Sequence, residues 1–144
     1  MPPLSALLFP VCAALSLAAA DFFLKLASSR LSSSITTLIY ALCTFIVPIV
    51  WVGIAKWRGE EFLINRDGIL PAVLAGIAFS LVVVFLSLTF AAGVNLSIGT
   101  PAIRTLGIVL AATLGIVVFN EGISLRYVLG FALSLSGIYL IVTR

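Results

Sequence analysis

Histidine is absent from this 144-residue chain, and with it go the commonest metal ligand and the commonest general base. Charge is scarce too, at 9% of residues against about 25% in soluble domains, while 62% are hydrophobic. Together these exclude a water-soluble fold built around a buried core. Cysteine occurs twice, as Cys12 and Cys43, both inside apolar stretches and without CxxC or metal-site spacing, so both read as small packing residues. The net charge of +3 is scattered over loop ends, which leaves no basic stripe for nucleic acid. No nucleophile, base and orienting group occur together, so neither an enzyme nor a cofactor is expected.

What is present is a succession of five apolar runs, approximately Leu4 to Ala27, Ile35 to Ala55, Ile69 to Ala92, Leu96 to Phe119 and Leu125 to Val142. A hydrocarbon core about 30 Å thick needs roughly 20 apolar residues in a helix, and these runs are of that order. Charges, Gly or Pro collect where they end, and Lys56 to Gly68 is the one extramembrane loop of any size. The sequence therefore predicts an all-α polytopic membrane protein, five transmembrane helices in one bundle, forming a single domain over residues 1–144. The first run offers Leu17-Ala18-Ala19-Ala20 as a cleavage-like site. Its start, Met1-Pro2-Pro3, lacks Lys or Arg and its apolar stretch exceeds a usual signal h-region, so it is expected to remain a span. Asn95-Leu96-Ser97 has the form of a glycosylation sequon but adjoins the fourth span too closely to serve.

An odd number of spans puts the two chain ends on opposite sides of the membrane. Lys56, Arg58, Arg66 and Arg126 then fall on the side of the N-terminus, and Lys25, Arg30, Arg104 and Arg144 on the other. That tie specifies orientation weakly and permits insertion both ways round. Setting aside Lys25 and Arg104 as charges within spans breaks the tie and places the N-terminus in the cytoplasm, the orientation we expect. Trp51 and Trp57, near one end of the second span, read as interfacial anchors.

Helices in lipid approach closely where small residues allow it. Such residues recur at helical spacing: Ala72, Gly76 and Ser80 in span three, Gly107, Ala111 and Gly115 in span four, Gly130, Ser134 and Gly137 in span five. The span-three set is expected to pack within the chain, and the sets on spans four and five against a second copy. Pro10 and Pro48 lie well inside spans one and two, where a missing amide donor bends a helix and frees a carbonyl, whereas Pro71 has ordinary first-turn placement.

The charges inside the spans are the candidates for function, because an ionisable group in hydrocarbon is costly unless it is paired or faces water. Asp21 and Lys25 are spaced to share one helix face and to form an ion pair. Their face continues through Ala18 and Ala14, which leave room rather than fill it. Lys25 and Arg104 are long enough to snorkel to the headgroups, but Asp21 is not, which makes it the strongest single candidate. Thr100-Pro101 has the form of an N-cap followed by a first-turn proline. That reading starts the main part of helix four at Thr100, puts Arg104 in its first turn, and suits an anionic group there. Asp21, Lys25, Thr100 and Arg104 are accordingly expected to line a substrate pathway.

Thr100-Pro101 through Gly107, Gly115 and Phe119-Asn120-Glu121-Gly122-Ile123-Ser124, then Gly130 and Ser136-Gly137-Ile138-Tyr139-Leu140, resembles the end of an EamA-type unit of the drug/metabolite transporter superfamily. Phe22, Phe23 and Lys25, late in span one, resemble that family's first helix. The resemblance covers the whole chain at low specificity and is most specific from Asn120 to Gly137. Asn120 stands where the family usually has Gly, and Glu121 reads as a turn or cap residue rather than a catalytic carboxylate. The small multidrug resistance proteins of the same superfamily carry a Glu in the first half of helix one, a position without a carboxylate here. Members typically hold two five-helix units in tandem, inverted relative to one another. The resemblance thus implies a half-size transporter in the cell (inner or plasma) membrane. It would move a small metabolite by alternating access, paired with a second copy of itself or with a related half. A lipid-linked sugar flippase subunit resembles this short design as well, and a non-transporting assembly subunit is the competing class.

Overall fold

A computed structural model describes residues 4–120 and 122–143, with side chains from Leu8 onward. It consists of five helices: α1 (Leu4–Ser28), α2 (Ser33–Trp57), α3 (Arg66–Ala91), α4 (Leu96–Phe119) and α5 (Leu125–Val142). All five are long and apolar enough to cross a membrane, and no strand occurs among the described residues. The chain is an all-α, multi-pass membrane protein.

The apolar runs locate α4 and α5 to the residue. The largest difference is at the start of α3, expected at Ile69 and found at Arg66. Its cause is Asn65, whose side chain accepts a hydrogen bond from the Asp67 amide at 3.1 Å and so draws the polar Arg66-Asp67-Gly68 into the first helical turn. Asp67 also sets negative charge at the positive end of the helix dipole. Ser124 caps α5 in the same way, accepting from the Tyr127 amide at 3.1 Å. Helices α1 and α2 continue through Pro10 and Pro48.

Two compact units divide the chain, one closing at Gly93 and the other opening at Val94. In the first, α3 packs against both α1 and α2, and α1 also meets α2. Its small core, Leu24, Val83, Leu86 and Phe90, lies in the C-terminal halves of α1 and α3, with Ala55 buried near the far end of α2. In the second unit α4 packs on α5, and a shallow hollow lined by Asn95, Ile98, Leu140 and Ile141 shows the start of one beside the end of the other. Most leucines, isoleucines and valines are exposed on the helix surfaces, where lipid tails are as apolar as they are.

Helix α3 packs within the chain, against α1 and α2, but Gly76 does not carry that contact: a β-carbon built on it meets nothing within 4 Å, and Gly76 and Ser80 line a pocket with Tyr40 and Phe79. Gly107, Gly130 and Gly137 face open space as well.

Candidate functional site

Two helix faces with the same period meet in the first unit. On α1, Asp21, Leu24, Lys25 and Ser28 follow the three-four spacing of one helix side, and all but Lys25 are buried. On α3, Val83, Leu86, Ser87 and Phe90 repeat the pattern, and all are buried. The apolar members supply packing, and the polar members have to find partners in the seam.

Ser28 Oγ donates to the Leu24 carbonyl at 2.7 Å, which satisfies its proton inside its own helix. The same oxygen lies 3.4 Å from Ser87 Oγ, and Ser87 is fully buried at 0% exposure. This hydroxyl pair links the last turn of α1 to α3 inside the buried seam.

Lys25 Nζ donates to the Phe90 carbonyl at 3.3 Å and stands 5.4 Å over the Phe90 ring. Phe90 belongs to the last turn of α3, at the negative end of the helix dipole, and its carbonyl also accepts the Gly93 amide at 3.1 Å. Lys25 thus places a cation where a helix C-terminus favours one, and covers an aromatic face at the same time. Snorkelling to the headgroups, which its length would allow, is replaced by a contact inside the protein.

Asp21 is 5% exposed, the most buried charged side chain described. Measured from Ser28 at 1.5 Å per residue, it sits about 10 Å inside the end of α1. Ala18 and Ala14 above it on the same face are not buried, so that face is open beyond the carboxylate.

In the second unit the expected start of helix four is corrected. The N-cap is Asn95 and α4 begins at Leu96, so Thr100 is an interior residue and Pro101 lies past the first turn. Asn95 holds the extended N-cap backbone without a side-chain cap bond, and its carbonyl accepts from the Ile98 and Gly99 amides, so the helix is already under way one turn before Thr100-Pro101. Arg104 therefore lies about 12 Å along the helix, beyond its second turn and away from the free amides of the N-terminus. The anion corner expected from a helix end plus Arg104 does not form. Arg104 is half-buried, its neighbour Thr105 is buried, and Thr100 Oγ1 is buried with no hydrogen-bond partner among the described residues.

Asn120 ends α4 in the left-handed conformation, at φ 51°, with its amide bonded to the Gly115 carbonyl. Asn is among the few residues other than Gly that adopt this conformation routinely. Glu121 lies outside the described residues. Among those described, no cluster of His, Cys, Asp and Glu could hold a metal ion, and Cys12 and Cys43 are free and exposed. Sequence reasoning singled out Asp21 and Lys25 but missed Ser28, Ser87 and Phe90. The signal that could have found them is the repeated spacing of polar residues near the ends of spans one and three.

The helices and this seam define a class, the multi-pass α-helical membrane proteins with ionisable side chains inside a span. Comparison at the level of families, curated proteins and solved structures goes no further: no family model, curated protein or solved structure matches this chain.

Proposed function

We propose that this chain is a half-size membrane transporter that works with a second unit, a copy of itself or a related half, to move a small metabolite across the cell membrane by alternating access. The observation that carries the proposal is Asp21, a carboxylate 5% exposed within a membrane-crossing helix, with open space along its face. Intramembrane carboxylates are costly and mark substrate or ion pathways far more often than surface charges do. The resemblance of the C-terminal region to EamA-type units supports the same reading. In it Asp21 and Lys25 contribute the polar part of the route in the first unit, and Arg104 and Thr100 are its candidates in the second. Gly107, Ala111 and Gly115 of α4, with Gly130, Ser134 and Gly137 of α5, form the pairing surface.

Comparing the small-molecule content of cells and medium between wild type and Asp21→Asn, at matched membrane abundance, tests this. A metabolite redistributed by the wild type and not by the variant supports transport through Asp21. If wild-type and empty-vector cells match, the transport reading fails. The absence of any buried residue on α5 favours one second reading, a non-transporting assembly subunit. For that role Gly107→Leu or Gly130→Leu would abolish function while Asp21→Asn would do little.

A further inference from the structure

Between α2 and α3 lies an open pocket of about 240 Å³ that the charged residues do not line. Thr37, Tyr40 and Thr44 line it from α2, and Gly76, Phe79 and Ser80 from α3. Its size falls just under the roughly 300–1,000 Å³ of pockets for drug-sized ligands, so an occupant would be smaller than those. No carboxylate or basic side chain lines it, which leaves a bound ion without a counter-charge in a low-dielectric setting.

The hydroxyls around this cavity have a definite polarity. Thr37 Oγ1 donates to the Ser33 carbonyl at 2.8 Å, Thr44 Oγ1 to the Ala41 carbonyl at 3.1 Å, and Ser80 Oγ to the Gly76 carbonyl at 3.0 Å. Each has thereby committed its one proton to the backbone and keeps lone pairs to offer. The lining therefore accepts hydrogen bonds at three positions, and Tyr40 is the remaining side-chain donor. Tyr40 and Phe79 add aromatic surface. A molecule that only accepts hydrogen bonds would leave most of this lining unused, whereas one that donates would match it.

We infer that the α2/α3 cavity is a binding site for a small uncharged molecule that pairs a flat apolar body with a hydrogen-bond donor. Polar acceptors in a membrane-facing crevice are worth engaging because lipid tails cannot bond them. Gly76 controls the space, since a side chain there would enter the cavity without meeting any other atom within 4 Å at its β-carbon.

Indole serves as the probe and 1-methylindole, which has the same ring without the donor, as its comparison. Binding to the full chain in lipid nanodiscs is read by equilibrium dialysis against empty nanodiscs, so the result stands whether or not the chain transports. Saturable indole binding is expected, with 1-methylindole about two- to tenfold weaker, the range of one net hydrogen bond. Gly76→Leu should remove the saturable component while leaving thermal unfolding near wild type, and Ser80→Ala should narrow the difference between the probes. Equal binding of the two probes would overturn the inference in favour of an acyl chain or other purely apolar occupant. Saturable binding that survives Gly76→Leu, or none in the wild type, would overturn it too.

Discussion

Lys25 shows how much a single side chain can fix in a membrane protein that has little core. Its bond to the Phe90 carbonyl and its position over the Phe90 ring join α1 to the end of α3, across 65 residues of sequence. Replacing it with Met keeps the apolar stem and loses both contacts. Lys25→Met should lower stability by about 1 kcal/mol, the scale of one interhelical bond in a membrane, seen as a lower thermal midpoint in detergent, with Lys25→Arg closer to wild type. An unchanged midpoint would mean that the ammonium spends its time at the headgroups instead. The sequence made Asp21 and Lys25 legible because charge inside an apolar run is rare. It did not make Phe90 legible, since a backbone carbonyl leaves no mark in a sequence and any residue could have supplied it. Ser28 and Ser87 were hidden for a related reason. A serine in a membrane helix usually bonds its own backbone, as Ser80, Ser134 and Ser136 do here, so its type alone does not reveal a partner on another helix.

At the scale of the element, length and apolarity decided the five helices, and side-chain caps fix the starts of α3 and α5. Run length alone found α4 and α5 to the residue, which places the start of α4 before Thr100, but α3 begins earlier than its apolar run because of the Asn65 cap. Where two capping signals stand one turn apart, as at Asn95 and Thr100, the sequence does not rank them. At the other end of α4 the left-handed Asn120 gives a test of capping. Asn120→Gly should leave stability unchanged or slightly raised, because glycine adopts this conformation freely. Asn120→Val should cost about 1–2 kcal/mol, because a β-branched side chain clashes with the following carbonyl there. Thermal unfolding of the pair reads both. The cavity between α2 and α3 was not legible either. Small residues at Gly76 and Ser80 permit a close approach without requiring one, and here they line a pocket with Tyr40 and Phe79 instead.

For the whole molecule, five crossings require the two chain ends to lie on opposite sides of the membrane. Reporters active only inside or only outside the cell, fused in turn to each end, should give opposite answers for the two ends, with the N-terminal fusion cytoplasmic. The same answer at both ends would mean an even number of crossings. Each unit buries little by itself, and α5 buries no residue, so much of the surface is left for lipid or another protein. Gly107 of α4 and Gly130 and Gly137 of α5 face open space. The pairing claim can be read directly by counting bleaching steps of single fluorophore-tagged chains at low density in liposomes. The account predicts two steps for most particles, reduced to one by Gly107→Leu or Gly130→Leu, whereas single steps throughout for the wild type would contradict a self-paired transporter.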